Sequence, residues 1–287
     1  MRTSTGPRRA IRSLVLIPLM LVVNAALLRA NPIAPTFWAC DGNGGLHEIF
    51  VSIHQASGST GWFSHHVCDL PTYGTAGASE LEVNEATAVG VVQGRDGLPL
   101  FQRFNTYPSC GAVGPAVNDV RWYTGFEEIG GTLFAVDTPP TCGTSTLWRL
   151  DPVTGGVVAV GSTEYPAIEG LAWNPGALCL YGVSTCPPET GTLVCVDLVS
   201  GVATPVGDIG VVGLTSLEFT MGELVGGTDA AHGGQLYRID PATAHATLVP
   251  GPLQPEITDF AGLAATGYGY IVPVRAPSWG QFKARYR

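Results

Sequence analysis

The sequence predicts an all-β protein made of short strands, and two observations support this fold class. Glycine (38 residues) and proline (22 residues) together fill about a fifth of the 287 positions. Such residues make turns and interrupt long helices. In addition, one segment recurs with its aspartates 46 and 43 residues apart, the spacing of a structural repeat. Disorder is excluded, because hydrophobic residues make up 45 % of the chain and charged residues only 13 %.

The recurring segment has the pattern of a β-hairpin turn. Its three copies span residues 147–155, 193–201 and 236–244. In each copy alternating side chains lead into an aspartate, whose carboxylate accepts hydrogen bonds from backbone N–H groups further along a turn. Gly155 and Gly201 suit the left-handed position that closes such a turn, and Ala244 suits it less well. We therefore interpret Asp151, Asp197 and Asp240 as turn caps rather than as ligands.

Two further elements recur ahead of each hairpin, so one period contains four short strands in about 45 residues. The element directly before the hairpin occurs at 133–137, 180–184 and 224–228, and the earlier one at 125–127, 170–173 and 216–219. Partial copies occur at 37–41, 45–49, 261–264 and 270–274. Four strands in this length form one blade of a β-propeller. Glycine in inner strands, as at Gly125 and Gly170, suits a crowded central channel.

The repeats divide the chain into three regions. Residues 1–30 are a targeting segment, residues 31–274 form a propeller of about five to six four-stranded blades, and residues 275–287 form a basic, aromatic tail. The repeat is clear from about residue 120 and poor at 57–118, which holds either degenerate blades or an insertion. The copies at both ends suggest that the ring closes by pairing N-terminal with C-terminal strands.

The N-terminal segment predicts export. Basic residues including Arg8 and Arg9 precede an apolar run at 13–28, and small residues allow cleavage after Ala30. An uncleaved membrane anchor is the alternative, although the run is short for a span of about 20 residues. After cleavage we expect no membrane span and a protein that is secreted, periplasmic or held at the cell surface.

Charge excludes one class of partner and favours another. Residues 31–274 contain 23 acidic and 5 basic residues, a net charge of −18. Such a body repels nucleic-acid phosphates and attracts cations. We expect no nucleic-acid partner.

The repeat resembles that of a known group of proteins. Residues 234–243, with the pattern Gly-Gln-Leu-Tyr-Arg-Ile-Asp-Pro-Ala-Thr, and residues 170–182 look like repeats of exported bacterial β-propellers. This loose group includes quinoprotein-like and streptogramin-lyase-like propellers, and the resemblance covers a little over half of the chain. It implies the propeller fold, but propellers carry many unrelated functions. Lyases and lactonases in such propellers place histidines or carboxylates around the channel mouth, usually with a divalent cation.

The resemblance directs attention to acidic residues near the predicted channel mouth. Glu169 and Asp259 lie where inner strands begin, while Asp137 and Asp229 follow second strands and share that face. Oxygen ligands from Glu169, Asp229 and Asp259 would suit calcium, and solvated loop acids are the alternative. His232, beside Asp229, is a candidate general base without an assigned partner.

Other polar motifs have simpler explanations. Residues 41–45 start like a calcium loop but are better explained as a tight turn. His65, His66 and Cys68 lack a second ligand pair at zinc-site spacing. The tryptophans at 38, 122, 148 and 173 could stack on sugars, but they occupy repeated apolar positions and favour a core between blades.

Seven cysteines in an exported chain predict disulfides and leave at least one thiol over. Cys142 and Cys186 fall in corresponding loops of consecutive blades, so we predict a bridge between them. Cys40, Cys68 and Cys110 allow three alternative pairings.

Two functions remain open from the sequence. The first is a monomeric, non-enzymatic propeller that binds an extracellular glycan, peptide or surface component. The alternative is a cation-dependent hydrolase or lyase that acts in the channel, with calcium as the candidate cofactor. The tail at 275–287 is either a sorting or anchoring segment or a disordered end.

Overall fold

The molecule is an all-β propeller, as the repeats predict. The computed structural model describes residues 35–41, 45–53, 60–69, 80–84, 87–93, 99–105, 112–118, 121, 123–139, 142–151, 154, 156–186, 191–220, 222–249 and 260–265. These residues form twenty strands in five four-stranded antiparallel sheets. Within this part of the chain, no helix is both long and apolar enough to cross a membrane.

In four of the five sheets, four strands that are consecutive in the chain run in order from the innermost to the outermost. In the first sheet, the last described strand is innermost and the first three strands of the chain follow it. The first contains β20 (Gly262–Ala265), β1 (Pro35–Cys40), β2 (Gly45–Ile53) and β3 (Thr60–Asp69). The second contains β4 (Glu80–Asn84), β5 (Thr87–Gln93), β6 (Pro99–Asn105) and β7 (Ala112–Asn118). The third contains β8 (Tyr123–Ile129), β9 (Thr132–Asp137), β10 (Thr144–Leu150) and β11 (Val157–Pro166). The fourth contains β12 (Ile168–Asn174), β13 (Cys179–Ser184), β14 (Thr192–Val196) and β15 (Ala203–Asp208). The fifth contains β16 (Leu214–Thr220), β17 (Glu223–Thr228), β18 (Leu236–Ile239) and β19 (Ala246–Leu248).

Both ends of the described chain contribute to the first sheet. β20 pairs antiparallel with β1, with Cys40 opposite Gly262 and Phe37 opposite Ala265. The C-terminal strand is therefore the innermost one, and three N-terminal strands complete the sheet. The irregular stretch at 57–118 contains the outer strand β3 and the whole second sheet.

The inner strands contact one another in a cyclic order: β20 with β4, β4 with β8, β8 with β12, β12 with β16, and β16 with β20. They approach closely because small residues lie where they meet. A Cβ on Gly125 would lie 2.9 Å from the carbonyl carbon of Gly170, and one on Gly170 would lie 2.6 Å from the backbone nitrogen of Leu217. The glycines of the inner strands thus allow backbone-to-backbone packing around the centre.

The hydrophobic core lies between neighbouring sheets rather than at one central point. One cluster joins Leu171 and Leu180 of the fourth sheet to Phe134 and Leu147 of the third. Another joins Val225 of the fifth sheet to Ala39, Ile49 and Leu263 of the first. Burying each such leucine contributes about 2 kcal/mol, so each interface between sheets stabilises both of its members.

The outer hairpins have the predicted aspartate caps. The carboxylate of Asp197 accepts hydrogen bonds from the N–H groups of Val199 and Ser200 at 3.1 and 2.7 Å. That of Asp240 accepts from the Ala242 N–H at 2.9 Å. Gly201 and Ala244 both take the left-handed conformation, with φ of 80° and 63°. These aspartates therefore hold turns.

We call the edge of the sheets at which the inner strands begin the upper face, and the opposite edge the lower face. Ile168 at the start of β12 pairs with Ser184 at the end of β13, so the loops between second and third strands also lie on the upper face. The Asp197 and Asp240 turns, between third and outer strands, lie on the lower face.

Candidate functional site

Glu169 is a half-buried titratable residue of the upper face. It lies at the start of β12, beside the loop that follows β13. Burial raises the pKa of its carboxyl group to about 7, a nearby hydrogen bond from Thr185 opposes the rise, and the negative charge of Asp229 adds to it. Glu169 is therefore partly protonated at neutral pH, whereas an ordinary surface glutamate is ionised.

Asp229 and His232 form a pair in the loop after β17. The Asp229 carboxylate lies 2.6 Å from Nδ1 of His232 and also accepts the His232 backbone N–H at 2.9 Å. A single 3₁₀ turn, Ala230–His232, creates this geometry, and Gly233 ends it in the left-handed conformation. Both side chains are more than one third exposed. Sequence analysis left His232 without a partner, and the structure shows Asp229 in that place.

Backbone hydrogen bonds and a disulfide hold the upper-face loops together. The N–H of Asp229 donates to the Gly213 carbonyl at 2.9 Å, and the N–H of Thr185 donates to Ala167 at 3.0 Å. Cys142 and Cys186 form a disulfide with their Cα atoms 5.8 Å apart. This bridge joins corresponding loops of the third and fourth sheets, as the alignment of the repeats predicts.

The three residues proposed as metal ligands have different positions. Glu169 and Asp229 lie close enough for one charge to shift the pKa of the other, and Asp259 lies outside the described residues. Among the described residues, no group of three or more His, Cys, Asp or Glu side chains is arranged to hold a metal. Asp137 has a local role, because its carboxylate accepts the N–H of Thr146 at 2.8 Å.

Other candidates from the sequence have structural positions. Asp41 follows β1, and its carboxylate accepts the Gly45 N–H at 2.8 Å. Residues 42–44 of the predicted tight turn lie outside the described residues. His65, His66 and Cys68 lie on β3, an outer strand. Trp148 packs against the hydrophobic cluster of the third sheet, and the Arg121 guanidinium lies 4.1 Å from its ring centroid. The predicted leader at 1–30 and tail at 275–287 lie outside the described residues.

Glu127 is a buried carboxyl group that sequence analysis missed. It lies on the inner strand β8, is only 9 % exposed, and accepts the backbone N–H of Trp173 at 3.1 Å. Burial raises its pKa to about 8, the hydrogen bond from Trp173 opposes the rise, and the charge of Glu128 adds to it. The aligned positions of the other inner strands hold Ala172 and Glu218, so the repeat by itself does not indicate whether this position is buried.

The lower face carries a groove of about 460 Å³ on the fourth sheet. Trp173, Leu178 and Leu198 line it together with Val199, Asp197 and Cys195. Leu178 and Val199 are 77 % and 87 % exposed. A second disulfide, between Cys179 and Cys195, joins β13 to β14 beside it. Sequence analysis did not predict this groove, because its walls are residues from separate turns and from the end of an inner strand, which only the folded chain brings together.

Comparisons with known proteins identify the fold. Neither a protein-family model nor a curated protein matches the chain. A chain of the nidogen/laminin complex matches with a TM-score of 0.51 and 10 % identity, over 81 % of this chain and 82 % of that one. TolB from Acinetobacter baumannii matches with a TM-score of 0.47 and 10 % identity, over 85 % of this chain and 69 % of that one. At this identity the first likeness shows the propeller fold alone.

Proposed function

We propose that this protein is an exported propeller that binds an extracellular ligand without transforming it, and that the ligand contacts the upper face. The observation that carries the proposal is the juxtaposition of Glu169 and Asp229, two carboxyl groups close enough to raise a pKa. A ligand that brings positive charge would relieve this repulsion and favour the ionised form of Glu169. Of a glycan, a peptide and a surface component, the upper face therefore favours a peptide with basic side chains.

The charge of the whole body supports the same ligand class. Residues 31–274 carry a net charge of −18. A field of this sign raises the rate at which a cationic peptide meets the surface, and salt weakens the effect. Half-exposed His232 and Asp229 add a hydrogen-bonding edge beside Glu169.

Calorimetry with an oligolysine peptide tests the proposal, with oligoglutamate of equal length as the control ligand. We expect binding of oligolysine alone, and at least tenfold weaker binding by Glu169→Gln. Glu223→Gln is the matched control variant, because Glu223 is exposed at the lower-face end of β17, where it pairs with Arg238. Equal weakening by both variants would show that only net charge matters, and would overturn the assignment to the upper face.

Calcium is a second ligand to test at the same face. We propose Glu169, Asp229 and Asp259 as its oxygen ligands, an arrangement supported by the proximity of the first two. At a hundred times its dissociation constant, calcium would add about 2.7 kcal/mol of stability and raise the melting temperature by several degrees. Glu169→Gln would remove most of that gain. An equal rise with magnesium would indicate general screening of the acidic residues instead.

A cation-dependent hydrolase or lyase is the second candidate function, and the Asp229–His232 pair favours it. When Nδ1 of His232 donates to Asp229, Nε2 is left to accept a proton from a substrate or a water molecule. Glu169, with its pKa near 7, supplies an acid or base at neutral pH. A panel of lactones and esters, assayed with and without calcium, tests this function. Turnover that falls at least a hundredfold in His232→Gln would establish it over simple binding.

A further inference from the structure

We propose that the lower-face groove binds the chain's own basic, aromatic segment, residues 275–287. The groove exposes more apolar surface than a solvated turn requires, since Leu178 and Val199 are 77 % and 87 % exposed. Trp173 and Leu198 extend this surface, which gives a concave apolar site rather than two isolated side chains. Such a surface marks a place where another segment packs.

The chemistry of the segment matches that of the groove. Residues 275–287 contain three aromatic residues, four basic residues and no acid. Among the described residues, the groove lining contains one carboxylate, Asp197, and no basic side chain. Hydrogen bonds from Ser200 and Val199 lower the pKa of Asp197, so it is ionised at neutral pH. Trp279 and Phe282 would fill the apolar groove, while Lys283 or Arg285 would approach Asp197.

The path of the chain allows this contact within one molecule. β20 runs from the upper face to the lower face, because Gly262 pairs with Cys40 at the upper end of β1 and Ala265 with Phe37 further down. The chain therefore leaves its last described strand at the face that carries the groove. Thirteen residues separate Ala265 from Trp279. Extended, they span up to about 45 Å, three times the roughly 15 Å width of a four-stranded sheet, and the groove lies on the fourth sheet, beyond the neighbouring fifth sheet.

Hydrogen exchange of the full chain, followed by mass spectrometry, tests the proposal. We expect amides of residues 275–287 to exchange at least tenfold more slowly than in a synthetic peptide of the same sequence. Val199→Asp and, separately, Trp279→Ser should each abolish this protection. Leu248→Asp is the matched control, because Leu248 is 49 % exposed on the outer strand β19 of the fifth sheet and does not line the groove. It should leave the protection unchanged.

Three results would overturn the proposal. The first is that residues 275–287 of the wild-type protein exchange as fast as the free peptide. The second is that Val199→Asp leaves their protection intact. The third is that protection is present at 100 µM protein and lost at 1 µM. The last result would mean that a second copy, not the same chain, supplies the segment. Exchange of β12–β15 in the same spectra shows whether Val199→Asp remains folded.

Discussion

At the scale of single residues, the burial of two carboxyl groups gives them unusual protonation. Glu127 is almost fully buried between two inner strands, and Glu169 is partly buried on the upper face. In both, burial disfavours the charged form and is the main cause of the raised pKa. The pKa of Asp197 is instead lowered, because its exposed carboxylate accepts hydrogen bonds from the Ser200 and Val199 N–H groups.

Glu127 should make the protein less stable as the pH rises. Its pKa is about 8 in the folded protein and near 4.5 without burial. Between these values the folded state binds more protons than the unfolded chain, so the free energy of unfolding falls from about pH 5 to pH 8. Glu127→Gln keeps an oxygen for the Trp173 N–H and removes this fall. We expect the variant to be more stable than the wild type at pH 8, by on the order of 2 kcal/mol.

Urea unfolding at pH 5, 6.5 and 8 measures the effect. Glu164→Gln is the control, because Glu164 is an exposed residue of β11. A wild-type stability that rises from pH 5 to pH 8 by an amount that depends on Glu127 would contradict the raised pKa.

Asp229 should influence the protonation of Glu169. Its negative charge contributes to the raised pKa of Glu169, so Asp229→Asn should lower that pKa and extend the ionised range of Glu169 to more acidic pH. Carboxyl carbon NMR of the ¹³C-labelled protein measures the titration directly. The control is Asp208→Asn, since Asp208 is an acid at the end of β15 whose charge is not among the causes of the shift. An unchanged Glu169 titration in Asp229→Asn would show that the two groups do not interact.

At the scale of elements, the outer strands of the third and fourth sheets each pack against the hairpin turn of the next sheet. Gly161 on β11 lies against the Ser200 carbonyl and Gly201, and Gly207 on β15 lies against Thr243 and Ala244. Both glycines are ten residues after the capping aspartate of their own sheet. The turn and the outer-strand glycine therefore form one repeated contact, which sets how closely neighbouring sheets approach.

Gly161→Ala should destabilise the protein by about 3 kcal/mol, because the new Cβ would clash with the Ser200 backbone carbonyl. Gly207→Ala should cost less, since its Cβ would lie 3.0 Å from the Thr243 carbonyl oxygen. Gly156→Ala, in an exposed turn, is the control. Thermal unfolding of the three variants gives the order, and a Gly161→Ala melting temperature equal to that of Gly156→Ala would show that the sheets do not meet there.

At the scale of the whole molecule, two features hold the sheets in a ring. β20 and β1 bring the two ends of the described chain into one sheet. The Cys142–Cys186 disulfide links the third sheet to the fourth across 44 residues of sequence. Because strands from both ends of the described chain form the first sheet, unfolding of that sheet opens the ring. The disulfide stabilises the protein by restricting the conformations of the unfolded chain.

Removal of the inter-sheet disulfide should cost about 4 kcal/mol, the loop-closure entropy of a chain segment of this length. Cys142→Ser/Cys186→Ser should therefore melt several degrees below the wild type under oxidising conditions. With reductant present, the two proteins should approach the same melting temperature. Peptide mapping without reduction should recover the two peptides joined, and free alkylation of both cysteines in the oxidised protein would contradict the pairing.

Export also concerns the whole chain. The basic, apolar and small-residue succession at the N-terminus predicts cleavage after Ala30, because a signal peptidase requires small residues before its cut. N-terminal sequencing of the protein recovered from outside the cytoplasm should begin at Asn31. A mature protein that retains residues 1–30 would show that the segment is an anchor.

The sequence by itself determined the fold class, the four-strand period, the aspartate turns and the Cys142–Cys186 pairing. Each of these depends on short local patterns that recur at corresponding positions of successive repeats. Residues 133–137, 180–184 and 224–228, for example, are all second strands. The partners of individual side chains were decided only by tertiary structure. Three features depend on residues of different strands or loops: the burial of Glu127, the proximity of Glu169 to Asp229, and the walls of the lower-face groove. A repeat specifies each blade, whereas desolvation and charge depend on what the neighbouring blade places against it.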